Sequence, residues 1–339
     1  MQRALGTQHP DAVVSAVEVL MRDDGTNRRA RLGVQYAQGT GPDRVFVKAH
    51  AAHHRWVHLR NGNLFNEARL FASGVLLPVE HPRVYAAVCD WLRLDFLLVM
   101  EDLRERHADP RDATRPLSVA QVASGLRGLA RLHGQYWNLE PRAHPGLRWL
   151  KTWAPAQGWQ VGLRKRVPVG LQRAVGELPP QIAALNGDRI VDFWCRYVQT
   201  LARQPMTLLH GDAHIGNTYV LPDDTVGFLD WQVARRGGWS QDVGYFLVGA
   251  LTEADRREHE AQLLERYREA LPVPEPQRPS AAQAWLHYRA SPAYGLAIWL
   301  STLGVDGYQS RAISLALAQR YARAFVELET EAALRQLGV

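Results

Sequence analysis

His210-Gly211-Asp212-Ala213-His214-Ile215-Gly216-Asn217 lies between two short apolar runs, Met206 to Leu209 and Thr218 to Leu221. A third run, Val226-Gly227-Phe228-Leu229, ends on Asp230-Trp231. The segment offers a carboxylate, then an amide, then a second carboxylate at the end of a hydrophobic strand. Phosphoryl transfer from a metal-bound nucleotide asks for such a set. One carboxylate serves as base near the accepting hydroxyl, and two oxygen donors hold a divalent cation.

Taken singly, each residue has a plainer reading. Asp212 could cap its own turn, Asn217 could be a left-handed turn residue after Gly216, and Asp230 could cap the segment that follows it. Their register argues that they act together, with Asp212 as base and Asn217 and Asp230 as magnesium ligands. His210 fits a structural role, fixing the loop by hydrogen bonds, and His214 is a loop residue. A competing reading takes His210, Asp212 and His214 as ligands of a transition metal in a hydrolase, since an extended chain puts alternate residues on one face. That reading leaves Lys48, Glu67 and Asn217 without work. A nucleotide-binding pseudokinase is the third alternative.

Lys48 sits in the apolar run Val45-Phe46-Val47-Lys48-Ala49. The chain uses arginine for nearly every cation; Lys48, Lys151 and Lys165 are its only lysines. A compact ammonium in a strand is costly without partners, and bridging nucleotide phosphates would supply them. The plain alternative is a lysine on the wet face of an edge strand. Glu67, in the helical pattern that follows, could hold Lys48 in place. Leu97 to Leu103 turns abruptly from apolar to polar, as a connector offering backbone groups to a nucleobase would. Asp24 to Arg29 could cover phosphates, although it lacks a glycine-rich signature.

Composition is that of a globular enzyme: 339 residues, 46% hydrophobic, 11 tryptophans and a net charge of +6. No apolar run reaches the roughly 20 residues of a membrane helix, and the first residues lack the apolar stretch of a signal peptide, so a cytoplasmic protein is expected. Cys89 and Cys195 lie apart in apolar surroundings and read as buried thiols. The positive charge concentrates in residues 141–178, where Arg142, Arg148, Lys151, Arg164, Lys165, Arg166 and Arg173 face only Glu177. No nucleic-acid-binding signature accompanies this patch, which reads as a solvated face; neither nucleic acid nor membrane is expected as partner.

Strand-like runs at 12–20, 31–37, 44–49, 83–89 and 95–100 surround one helical pattern at 64–73. From Ser118, a candidate helix cap, the pattern turns helical. Residues 139–178, rich in Pro, Gly and Trp, read as an irregular insertion. Further helices are expected at 188–203, 239–250, 254–270, 280–303 and 309–336. This order suggests an α+β chain: a sheet lobe over 1–103, and a helical lobe over 104–339.

The motifs resemble those of the aminoglycoside phosphotransferase and choline kinase-like family. The resemblance rests on Val47-Lys48, Asn66-Glu67, Leu98 to Leu103, Leu129 to His133, His210 to Asn217 and Phe228 to Trp231. The spacing H-x-D-x-x-x-x-N followed by an Asp at a strand end is that of a kinase catalytic loop and metal segment. It implies a bilobal protein-kinase-like fold, with a small antiparallel sheet lobe ending in a hinge. It also implies an ATP-dependent enzyme (GTP being possible) with magnesium, acting on a hydroxyl of a small molecule as monomer or homodimer. By this resemblance Lys48 and Glu67 form the phosphate-positioning pair, and the backbone at Glu101 and Leu103 forms the adenine hinge. Asp212 is the base, Asn217 and Asp230 bind magnesium, and Asp242 braces the catalytic loop. Asp230 is followed by Trp-Gln and no Ala-Pro-Glu segment follows, which argues against a protein substrate. The basic insertion and the aromatic residues Trp285, Tyr288, Tyr294 and Trp299 favour a neutral or anionic, partly apolar alcohol over an aminoglycoside.

Overall fold

The computed structural model describes residues 1–24, 27–51 and 63–339. Five strands form an antiparallel sheet: β1 (Val13–Asp24), β2 (Asn27–Gln38), β3 (Arg44–His50), β4 (Val84–Asp90) and β5 (Asp95–Glu101), in the order β1-β2-β3-β5-β4. Lys48 is therefore on the central strand, not an edge. Register decides what shares its face: Arg29 opposes Lys48, Arg31 opposes Phe46, and Leu98 and Met100 oppose Lys48 and Phe46 from β5. With side chains alternating along each strand, Asn27, Arg29, Arg31, Phe46, Lys48, Leu98 and Met100 point one way. The same face packs on α1 (Asn66–Ala72) through Leu64, Phe65, Ala68, Phe96, Leu98 and Met100. The opposite face buries Val34, Val45 and Val99 beneath Leu5.

Beyond Glu101 a short 3₁₀ turn, Leu103–Arg106, leads into the helical part. Ser118 caps α2 (Val119–Gln135) in a reciprocal capping box with Gln121, as the sequence suggested. The chain continues through α3 (Gln157–Arg173) and α4 (Gly187–Thr200) into two small sheets. β6 (Met206–Leu209) pairs with β9 (Arg235–Gly238), and β7 (Thr218–Val220) pairs with β8 (Val226–Phe228). α5 (Ser240–Ala250), α6 (Glu253–Ala270), α7 (Ala281–Ala290), α8 (Pro292–Leu303), α9 (Arg311–Glu327) and α10 (Thr330–Gln336) complete it. One continuous apolar core, including Trp194, Trp231, Trp239 and Phe246, joins these helices to the small sheets. Among the described residues no helix is long and apolar enough to cross a membrane.

Several expectations need correction. The stretch 139–178 is not irregular throughout, because it contains α3. Its glycines suggest helix breakers, yet Gly170 is a helix–helix contact: a Cβ there would lie 1.9 Å from the Leu300 carbonyl oxygen of α8. Its charge is partly matched, Arg164 pairing with Asp188 and Asp192, and Arg173 with Asp306. The expected helix 280–303 breaks at Ser291-Pro292, where proline opens a new helix. The expected helix 309–336 breaks at Glu329, which takes a left-handed conformation. Cys89 and Cys195 are free but only partly buried. β1 and β2 are longer than their sequence pattern suggests; of the segment Asp24 to Arg29 between them, Gly25 and Thr26 lie outside the described residues.

Candidate active site

The loop 210–217 joins the two small sheets, and its shape is dictated by one buried side chain. Asp242, in the first turn of α5, accepts hydrogen bonds from His210 N–H (2.7 Å) and Gly211 N–H (2.9 Å). Gly211 has φ +83°, and a Cβ there would meet the Val233 carbonyl oxygen at 2.2 Å, so no other residue fits this turn. Asp242 is itself met by His133 Nε2 at 3.3 Å, and His133 Nδ1 by the Tyr267 hydroxyl at 2.7 Å. His133 belongs to the Leu129 to His133 motif, which by itself assigns it no role. Tyr267 leaves no signal in the sequence, because only the tertiary packing of α6 on α2 brings it in.

His210 is structural. Its Nε2 donates to the Leu229 carbonyl at 2.7 Å and its Nδ1 accepts from Asp212 N–H at 3.2 Å. Both ring nitrogens are thus occupied by backbone, and burial holds the ring neutral by lowering its pKa. The ring cannot also ligate a metal, which removes one ligand from the hydrolase reading. Among the described residues no group of three His, Cys, Asp or Glu side chains is arranged to hold a metal. His210 also ties the Asp212 turn to the strand end that carries Asp230.

Asp230 has φ +59°, a left-handed conformation uncommon outside glycine, so its direction is imposed by the surrounding structure. Its Oδ1 lies 2.8 Å from Lys48 Nζ, and Lys48 Nζ lies 2.6 Å from Glu67 Oε2. The other Glu67 oxygen accepts from Trp231 N–H at 3.2 Å. Burial opposes charge on Lys48, but Asp230 and then Glu67 outweigh it and lift its pKa above the ordinary lysine range. Burial likewise opposes ionisation of Asp230, and Lys48 overcomes it, holding that carboxyl below its ordinary value. Burial, against the pull of Lys48, raises the Glu67 pKa, and residues separated by 182 positions in sequence thus meet in one hydrogen-bonded cluster around the Lys48 ammonium.

Asp212 contrasts with this. About a quarter of its side chain stays accessible. Burial, then the neighbouring Asp230 charge, pushes its pKa up to about 7, against a hydrogen bond from Asn217. Asn217 Nδ2 donates to the Asp212 carbonyl (2.9 Å) and to Asp212 Oδ2 (3.2 Å), which leaves the amide oxygen as the free end. Leu229 N–H donates to the Asn217 carbonyl at 2.8 Å, keeping Asn217 beside Asp230. An amide oxygen and a carboxylate next to each other make an oxygen donor set that suits a hard dication such as magnesium. On the far side of Asp212, the His214 ring packs edge-on against Trp299 at 5.1 Å and Tyr245 at 6.0 Å. Burial pushes the His214 pKa down to about 3, so this wall is neutral.

A cavity of about 470 Å³ lies between the sheet and the helical part. Lys48, Glu67, Glu101, Leu103, Asn217 and Asp230 all line it. Asp212 is not among the lining residues but sits at its edge, bonded to Asn217. Glu101 N–H donates to the Arg83 carbonyl (2.9 Å), so this residue does not offer its N–H to a ligand. Leu103 opens the 3₁₀ turn, and its N–H has no partner within that turn. The struts around the connector carry no sequence signature. The Arg31–Asp102 ion pair spans 2.5 Å. Arg106 reaches Glu80 (2.7 Å) and Glu101 (3.0 Å), and the Tyr219 hydroxyl reaches Glu80 (2.6 Å).

A sheet lobe, a connector, a helical lobe and a cleft with this set of groups define a protein-kinase-like fold. The chain belongs to the phosphotransferase enzyme family, whose model matches residues 28–292. A spectinomycin phosphotransferase, solved in complex with ADP and spectinomycin, is 14% identical, with a TM-score of 0.54 and 97% of each chain covered. The choline kinase of Streptococcus pneumoniae is also 14% identical, with a TM-score of 0.51, covering 96% of this chain and 97% of its own. A candidate aminoglycoside phosphotransferase of Ralstonia eutropha JMP134 is 18% identical, with a TM-score of 0.54, covering 99% and 98%. No curated protein matches the sequence.

Proposed function

We propose that this phosphotransferase moves the γ-phosphate of ATP to a hydroxyl of a small molecule, with the lobes meeting at Leu103. The observation that carries this reading is the convergence of Lys48, Glu67, Asn217 and Asp230 on one cleft, with Asp212 at its edge. ATP would lie beneath the sheet face that carries Phe46 and Lys48, its base against the connector at Glu101 and Leu103. Lys48, held by Glu67, would position the phosphates. Asn217 and Asp230 would hold magnesium, which, when bound, neutralises charge developing on the phosphates.

Asp212 would accept the hydroxyl proton. A carboxylate with a pKa near 7 is a stronger base than an ordinary one and is still ionised in about half of the molecules at neutral pH. Its hydrogen bond from Asn217 fixes which oxygen points away. The acceptor would approach from the His214 side, where the neutral wall of Trp299 and Tyr245 favours an uncharged or anionic, partly apolar alcohol. The chemistry is positioning plus electrostatics, with no covalent enzyme intermediate.

The test is a screen of hydroxylated metabolites and antibiotics for acceptor-dependent ADP release, with Asp212→Asn as control. The expected result is ADP formation that depends on one acceptor and is lost in the variant. Acceptor-dependent turnover that survives Asp212→Asn unchanged would overturn the assignment of the base.

A further inference from the structure

A second cavity, of about 260 Å³, lies away from the cleft, where α3, the end of α8 and the start of α9 meet. Arg173, Thr302, Asp306, Arg311 and Ser314 line it. Arg173 and Asp306 neutralise each other through two contacts, of 2.8 and 3.2 Å. Arg311 is different: its Nη2 donates to the Arg173 carbonyl at 3.2 Å, and among the described residues it pairs with no carboxylate. It stands at the first position of α9, a helix of 17 residues whose start Ser310 caps on Ile313 N–H (3.3 Å), so that the N–H groups of Arg311 and Ala312 and the helix dipole add positive potential.

Ser314, on the first turns of the same helix, supplies an independent sign. The residue is 1% exposed, and its hydroxyl has no hydrogen-bond partner among the described residues. A buried hydroxyl without a partner is rare in a folded chain, and a ligand or water in the cavity it lines would satisfy it. An unneutralised guanidinium, a helix start and an orphan hydroxyl on one wall ask for the same thing: an acceptor-rich anion.

We propose that this cavity is a binding site for a small molecule with an oxyanion head, phosphate or carboxylate. The head would take the Arg311 guanidinium at the start of α9, and it would accept from Ser314. The volume suits a molecule of a few heavy atoms beyond the head. The site adjoins the end of α8, the helix whose Trp299 packs on His214, so an occupant would sit one helix away from the acceptor side of Asp212.

The experiment is thermal unfolding of the full chain against inorganic phosphate or acetate, with chloride at matched ionic strength as reference. Wild type is expected to show a saturable rise in Tm with at least one of the two anions, and the stronger anion identifies the head. Arg311→Gln, an exposed position, should fold normally and weaken that anion about tenfold or more, as loss of a charged hydrogen bond does. Ser314→Ala should weaken it several-fold. An undiminished rise in Arg311→Gln would place the anion in the nucleotide cleft or in a general salt effect, and would overturn the site. So would a rise that does not saturate, or an Arg311-dependent rise that Ser314→Ala leaves unchanged, since water alone would then satisfy the hydroxyl.

Discussion

The two sides of Asp212 are built from different materials. Toward the sheet lobe, Lys48, Glu67 and Asp230 form a buried cluster of groups within 2.8 Å contacts around the Lys48 ammonium, in a cleft that Arg29 and Arg31 also line. Toward the helical lobe, the neighbours are His214, Trp299 and Tyr245, uncharged and packed as rings. A charged cluster of this kind needs particular residue types in particular places, because an unmatched buried charge is not tolerated. An aromatic wall can be built from many sequences. The difference explains why the residues proposed to meet the nucleotide stand out in the chain while those proposed to meet the acceptor suggest only a class of compound.

The sharpest way to break the comparison is Asp212→Asn, which removes the group between the two sides. Turnover with a true acceptor should fall about 10²–10⁴-fold in kcat, the usual worth of a general base. Nucleotide affinity should change little, since Asp212 does not line the cleft. The same variant should unfold at a higher temperature at pH 8. If nucleotide binding collapsed with activity, Asp212 would belong to the charged side.

Next in size is the cluster itself. Lys48→Met leaves Glu67, whose side chain is 6% exposed, buried without its cation. The expected loss is about 3 kcal/mol or more, measured by urea unfolding. Lys48→Met with Glu67→Leu should recover most of that stability while remaining inactive. A double variant no more stable than the single one would show that the pair does not act as a unit.

This contrast also sets how much the sequence could reveal. Lys48 stood out because arginine serves nearly everywhere else, and the carboxylates of the 210–230 segment because their spacing is fixed by strand, turn and strand. The five strands of the sheet lobe with the helix between β3 and β4, and the capping by Ser118, followed from local pattern, whereas the order of the strands in the sheet did not. What stayed hidden was tertiary. Gly170 and Pro168 look like breakers, yet lie inside α3, because close packing on α8 outweighs local propensity. Glu329 gives no hint of its left-handed turn. Tyr267, Tyr219 and Arg31 are ordinary residues until the fold brings them to His133, Glu80 and Asp102.

The pH dependence separates the two sides by a smaller effect. As the proposed base, Asp212 must be ionised to accept a proton, and burial with the nearby Asp230 charge pushes its pKa up to about 7. kcat/KM should therefore fall about tenfold per unit below that pH and level off above it. Stability runs the other way. A carboxyl raised from 3.8 binds its proton more tightly when folded, so its contribution is present at low pH and is lost as pH rises toward 7. The gap in Tm between Asp212→Asn and wild type should widen from pH 5 to pH 8. A gap that is flat with pH would mean that Asp212 titrates like an exposed carboxylate and that Asp230 does not repel it.

The finest test concerns the aromatic wall alone. Trp299 is 4% exposed and touches His214, two residues from Asp212, without lining the cleft between sheet and helices. Trp299→Leu keeps the position apolar but removes the flat face and the edge contact that orients His214. If the wall shapes the acceptor pocket, KM for the acceptor should rise about tenfold, the scale of one lost aromatic contact with its buried area. KM for ATP should hold, and kcat should change by less than about threefold, since the base keeps its bonds to Asn217. A rise shared equally by both substrates would carry the opposite message. Trp299 would then be bracing the 210–217 loop as a whole, and the division at Asp212 would be one of packing and not of substrate.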